Sequence, residues 1–126
     1  MRYLSATFVS IAGLVLAAGS LAQDLVLDCS VKRTDPDGSQ YEFVRRLELT
    51  FDSSTVAFYD NFGRGFDFSD RYRFVRADAY KIQLRNDQEA ISYVDRTDGN
   101  YFFKRDDGMV IRGNCVARKA GAVTKF

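Results

Sequence analysis

The chain has 126 residues, 46% hydrophobic and 28% charged, with a formal net charge of +1. That length fits one domain. Histidine and tryptophan are absent, proline occurs once and cysteine twice. Imidazole bases, imidazole metal ligands and four-cysteine zinc sites are therefore excluded. The near-neutral balance argues against a nucleic-acid partner, which would require a strong basic excess.

The first segment reads as an address. Arg2 supplies a positive start, and an apolar run from Phe8 to Ala18 follows. The run is well short of the ~20 residues that span a bilayer. Ser20-Leu21-Ala22 then places small residues three and one before a cut. We expect a signal peptide over residues 1–22, cleavage after Ala22, and a single mature domain over residues 23–126. Arg2 is the one charge removed, which leaves cations and acids in balance. No membrane span is expected in the mature form, and secretion into the periplasm is the expected location.

Secretion gives the two cysteines their meaning. Cys29 and Cys115 stand near the two ends of the mature chain. In an oxidising compartment an isolated pair reads as one disulfide. Closing so long a loop is worth roughly 4.5 kcal/mol in the chain-entropy picture. A redox role would call for Cys-x-x-Cys spacing or a neighbouring imidazole, and neither is present.

The rest reads as strands and turns. Leu25, Leu27, Cys29 and Val31 alternate with polar neighbours, a period of two. Asp35-Pro-Asp-Gly38 turns the chain. Residues 41–51 put Tyr41, Phe43, Leu47, Leu49 and Phe51 on one parity, with Arg45 among them; a bulge that shifts the register would account for it. Further strands are expected over residues 55–59, 72–76, 80–85, 89–95, 100–105 and 109–118. The Asp-Gly pairs at 98–99 and 107–108 are strong hairpin signals. The tail, residues 119–126, has no pattern and is expected to fray.

Eight strands with short connections predict an all-β fold, a small antiparallel meander barrel. The alternative is a two-sheet β-sandwich. An even count sets the first and last strands antiparallel, so closure would bring Cys29 beside Cys115, both on apolar parity. The disulfide would then staple the barrel shut. Aromatics such as Tyr41, Phe43, Phe51, Phe58, Phe74 and Tyr80 fall on the apolar side. They would fill so small a barrel, leaving at most a small cup at one mouth.

The search for catalytic groups finds little. The pairs Asp35/Asp37, Asp67/Asp70 and Asp106/Asp107 fall in turns, where aspartate bonds backbone or water. Asp35-Pro-Asp-Gly38 lacks the later ligands of a calcium loop. Asp60, Asp67 and Asp70 are the remaining cation candidates. No enzyme activity, metal or cofactor is expected. Arg71, Arg73, Lys81 and Arg85 share the outward parity of two adjacent predicted strands, as either a basic stripe or a solvated face.

Residues 60–71, Asp60-Asn-Phe-Gly-Arg-Gly-Phe-Asp-Phe-Ser-Asp-Arg71, form the longest connection. Long loops are often functional, and phenylalanine and arginine suit interfaces. Phe62, Arg64, Phe66 and Phe68 are the candidate partner-binding residues. Alternatively, Phe66 and Phe68 begin a strand or plug the barrel mouth.

In layout the mature chain resembles small secreted bacterial single-disulfide β-barrel proteins of uncharacterised function. The shared marks are the signal peptide, the early Cys29, the Asp95-Arg-Thr-Asp-Gly99 turn and the closing Gly113-Asn-Cys115. In plan it is also similar to the membrane-bound and periplasmic inhibitors of C-type lysozyme, which are small eight-stranded barrels with a disulfide between the terminal strands. That family's Ser-Gly-x-x-Tyr segment and tryptophan-rich Lys-Gly strand have no counterpart, so its inhibitory residues do not carry over. The resulting expectation is a non-enzymatic binding protein that meets a protein partner in the cell envelope or outside the cell. A lysozyme-inhibitor-like protein and a carrier of a small apolar ligand are the alternatives.

Overall fold

The computed structural model describes residues 24–119 and 122–124. The expected signal peptide and its cut after Ala22 lie outside the described residues. Ten strands follow in order: β1 (Leu25–Thr34), β2 (Gln40–Thr50), β3 (Thr55–Asn61), β4 (Asp67–Arg73), β5 (Arg76–Ala77), β6 (Lys81–Asn86), β7 (Ala90–Asp95), β8 (Asn100–Arg105), β9 (Val110–Lys119) and β10 (Ala122–Thr124). All neighbours are antiparallel, in the order β4-β3-β2-β1-β9-β8-β7-β6-β5, with β10 on β9. Part of the tail expected to fray thus pairs: Ala122 opposes Lys119 and Thr124 opposes Ala117.

The first and last long strands meet as the strand count predicts. The β1–β9 ladder runs from Val110↔Thr34 to Arg118↔Val26, with Cys29 directly opposite Cys115. The two are bonded across 86 positions of chain, their Cα atoms 3.9 Å apart. The Cys115 N–H donates to the Gly99 carbonyl rather than to β1. Cys29 and Cys115 therefore form a non-hydrogen-bonded pair, the arrangement that brings opposed side chains closest. Both are fully buried.

The Asp95–Gly99 turn and the Gly113–Cys115 segment, apart in sequence, touch here. Gly99 has φ +81°, and a Cβ on it would lie 2.7 Å from the Cys115 carbonyl oxygen. A Cβ on Gly113 would run into the Ser30 carbonyl. Only glycine lets the backbones approach this closely. The Asn114 amide donates to Asn100 beside them, at 2.7 Å. These marks of the sequence hold the closing strand in place.

The sheet does not close into the expected eight-stranded barrel. It curls into a half-barrel whose free ends are β4 on one side and β5 on the other. Three local features explain the open seam. The chain leaving β4 is tied back by Phe74 N–H to Ser54 O, and Val75 N–H bonds Gln83 O. Arg76 and Ala77 then pair with Gln83 and Ile82, taking the β6 edge that β4 would have needed. The β3–β4 register also shifts between Phe58 and Tyr59. Finally, the Arg71 N–H is held at 2.7 Å by the Asp70 carboxylate instead of a neighbouring strand. Bulges and charged side chains on an edge are common devices against strand addition.

The core lines the concave face. Leu27, Leu47, Leu49, Val56, Ile82, Leu84 and Val94 are fully buried, with Tyr101, Ile111 and Met109 beside them. Phe43, Phe58 and Phe74 point inward as expected, but Tyr41 and Tyr80 are 49% and 71% exposed. Tyr41 sits at the start of β2 and Tyr80 in the turn before β6, where strand parity no longer aims a side chain at the core. The one fully buried polar side chain among the described residues, Ser92, donates to the Phe102 carbonyl at 2.9 Å. Burial therefore costs it little.

The staple should dominate stability. Cys29→Ala with Cys115→Ala is expected to lower the midpoint of thermal unfolding, followed by circular dichroism, by more than about 10 °C. An unchanged midpoint would show that the β1–β9 ladder holds without it.

Candidate functional site

Residues 60–71 are not one long loop. Asp60 and Asn61 finish β3, β4 begins at Asp67, and only residues 62–66 connect them. The Asn61 side-chain oxygen accepts from the Gly63 and Gly65 amides at 2.7 and 3.1 Å, which holds the connection in shape. The four candidate residues separate. Phe62 is 67% exposed yet stacks on Phe43, ring centroids 4.6 Å apart. Arg64 is exposed. Phe66 lies under the Arg46 guanidinium, 4.0 Å from its ring centroid. Phe68 belongs to β4, is 59% exposed and meets Tyr59 edge-on. Neither Phe66 nor Phe68 plugs the mouth. Tyr41, Phe62, Arg33 and Asp35 surround a shallow recess of about 310 Å³.

Arg45 is the larger correction. No bulge displaces it, since the β1–β2 register runs unbroken through Cys29↔Arg45. It points inward because Asp60 does too. Arg45 Nε and Nη2 donate to the two Asp60 oxygens at 2.8 and 2.9 Å, and Nη1 donates to the Tyr101 hydroxyl at 3.1 Å. The guanidinium also lies over the Phe43 and Phe58 rings, 5.4 and 5.5 Å from their centroids. Burial works against its charge, but the Asp60 and Tyr101 contacts outweigh this and raise its proton affinity above that of an ordinary guanidinium. A two-pronged pair of this kind is the strongest arrangement arginine and carboxylate make.

Around that pair lies a cup that the parity reading did not assemble. Arg33, Arg45, Asp60, Asp70, Tyr72, Arg85 and Arg105 line its walls, with Phe58, Phe103, Met109 and Ile111 as the apolar floor. Its volume is about 290 Å³. It occupies the end of the half-barrel where the β1–β2, β6–β7 and β8–β9 turns lie. Arg85 joins it through a register shift between Gln83 and Arg85, which sets it opposite the buried Ser92. Arg71, Arg73, Lys81 and Arg85, expected to share one outward face, are therefore split. Arg85 faces inward and lies 5.5 Å from the Tyr72 ring centroid across the seam.

Each rim arginine is clamped by the aspartate two residues on. Arg33 Nε donates to Asp35 at 2.6 Å. Arg85 Nε and Nη2 grip Asp87, with Nη2 also reaching Glu89. Arg105 Nε and Nη2 grip Asp107 at 3.1 and 2.8 Å. Asp87 and Asp107 also cap their own turns, accepting from the Glu89, Ala90 and Met109 amides. Arg105 first, then the Met109 amide, hold the Asp107 carboxyl down at about 2. Arg85 and the turn amides lower Asp87 likewise. Burial pushes the Tyr72 phenol far above its usual range, and the neighbouring Tyr101 adds to the effect.

The acids do not form a cation site. Among the described residues no three metal-ligating side chains converge. Asp60 is committed to Arg45, and Asp70 holds the Arg71 amide. Asp35 and Asp37 hold Arg33 and the Ser39 amide. Among the described residues no helix is long and apolar enough to cross a membrane. No protein-family model, curated protein or solved structure matches the chain.

Arg45 and Asp60 are 13% and 12% exposed at their side chains. Removing one partner of such a pair costs about 3–5 kcal/mol, because the other charge stays behind unpaired. Arg45→Leu is expected to lose that much in urea unfolding, and Arg45→Leu with Asp60→Leu to recover most of it. A double variant as unstable as the single one would refute the pairing.

Proposed function

We propose that the protein is a non-enzymatic binding module of an oxidising extracytoplasmic compartment, and that it meets a protein partner through residues 62–68 and the neighbouring Tyr41. The observation that carries this reading is the exposure of Tyr41 and Phe62 around one shallow recess, with exposed Arg64 two residues on. Large apolar groups exposed together are a mark of interaction surfaces. The recess between Tyr41 and Phe62 suits a partner side chain, as anchor pockets at interfaces do. The fully buried disulfide supports an oxidising compartment. A lysozyme-inhibitor-like role is the narrower form of this reading and rests on plan of fold alone.

The carrier reading is less well supported. An apolar ligand would lie against Arg33, Arg85 and Arg105, stripping water from charges without replacing it. A hydrolytic reading needs a free carboxylate beside a second one. Asp60 is gripped on both oxygens by Arg45.

The test uses the mature chain as bait against envelope extract. Phe62→Ala with Arg64→Ala should leave stability within about 1 kcal/mol, since exposed groups and one ring stack are lost. Capture of the partner should weaken by more than about 2 kcal/mol in affinity. Full retention of capture by the double variant would sink the assignment of this surface.

A further inference from the structure

The cup has a chemistry of its own, independent of whether residues 62–68 meet a protein. Three hairpins at one end of the sheet repeat one device, Arg-x-Asp: Arg33-Thr-Asp35, Arg85-Asn-Asp87 and Arg105-Asp-Asp107. In each, the aspartate takes the Nε side of the guanidinium. Among the described residues none of the three Nη1 groups has a hydrogen-bond acceptor, and Arg33 Nη2 also lacks one. The Asp87 and Asp107 carboxylates are about half exposed and Asp35 is mostly buried, while all three arginines line the cup. Three guanidinium groups are thus fixed on their Nε sides, with Nη1 donors that lack a protein partner beside one small cavity. The Tyr72 hydroxyl, in the same wall, also has no partner among the described side chains.

Two acids also lie in the lining. Asp60 is neutralised by Arg45, and the Asp70 carboxylate is turned to the Arg71 amide. The apolar part of the lining is Phe58, Met109 and Ile111, nearly wholly buried, and the partly buried Phe103. A bare inorganic anion would satisfy the rim and leave the partly buried Phe103 ring uncovered. A neutral apolar ligand would cover that ring and leave the guanidinium donors stripped of water. Guanidinium matches carboxylate and phosphate oxygens in geometry as well as charge. The cup's 290 Å³ sits at the small end of ligand cavities, which run from about 300 Å³ upward.

We propose that this cup binds a small organic anion, a compact apolar body carrying one carboxylate, phosphate or sulfonate head. The head lies among Arg33, Arg85, Arg105 and the Tyr72 hydroxyl, and the body rests on Phe103. The clamping aspartates preorganise the site, so little side-chain freedom is lost when the anion enters.

A matched pair of fluorescent probes tests this on the mature, disulfide-bonded protein. 8-Anilinonaphthalene-1-sulfonate carries the anionic head, and N-phenyl-1-naphthylamine is the same body without it. The sulfonate should bind at one saturable site, at least tenfold tighter than the neutral probe. Octanoate or phenyl phosphate should displace it, and whichever competes better identifies the head group; sodium phosphate alone should compete weakly. Arg33→Gln with Arg105→Gln should weaken the sulfonate at least tenfold, with the circular dichroism spectrum unchanged. Arg76→Gln, on the exposed strand β5, removes equal charge per site and should leave binding as it was. Equal affinity for the two probes, no saturable binding, or an equal loss in the Arg76 variant would each overturn the proposal. If the double variant unfolds, Arg85→Gln alone must reproduce the loss in a folded protein, and normal affinity there would also overturn it.

Discussion

The pairing of β1 with β9 is the constraint on which the rest of the structure depends. It joins the two ends of the described chain across 86 positions, so it costs more loop closure than any hairpin in the sheet. Every other ladder between the long strands links neighbours in sequence and is cheap to close. Without β1–β9 the chain would be two separate meanders, β1–β4 and β6–β9, each with one apolar face open to water. With it they become one curled sheet whose concave face is a single core. The disulfide at the middle of that ladder removes much of the closure entropy from the unfolded chain. Gly113 and Gly99 let the backbones there approach closely enough for both to fit.

Once the ends are joined, the seam must fall elsewhere. It falls between β4 and β6, because β5 takes the β6 edge and β4 carries a bulge and a self-capped amide. An open seam keeps solvent near the interior at one end. That explains how a domain this small holds Arg45, Asp60, Arg85 and Tyr72 on its concave face. The groups deepest in the mouth are paired, as buried charges must be. Those at the rim are held by turn carboxylates, and it is there that guanidinium donors without a protein partner remain. The sheet's geometry thus sorts charge from a closed structural pair to an open binding rim.

Much of this was legible in the sequence. Alternation of apolar and polar residues located the principal strands, and the Asp-Gly pairs located their hairpins. Even strand count and cysteine parity together placed Cys29 opposite Cys115. Arg45 was misread because its partner, Asp60, is 15 residues on in a stretch that looked like loop; a charge on core parity signals either a bulge or an inward partner, and alternation alone does not choose. Arg85 was assigned to the wrong face for the converse reason, since a one-residue register shift moves every later side chain across the sheet. The seam rests on a two-residue strand, too short for any periodic signal. Arg-x-Asp occurs five times in the sequence, and only the fold shows that those at 33–35, 85–87 and 105–107 lie at one end with the aspartate bonded to the arginine.

The central claim is a sheet continuous through β1–β9 and open between β4 and β6. Amide hydrogen exchange by NMR tests it most directly, because protection reports which backbone groups open only when the whole domain unfolds. The account predicts that interior amides of β1 and β9 exchange only by global unfolding. The Arg71 amide, held by a side chain at the edge, should exchange orders of magnitude faster. Protection of Arg71 equal to that of β9 would mean that β4 is paired on both sides and the barrel is closed, which would contradict the account.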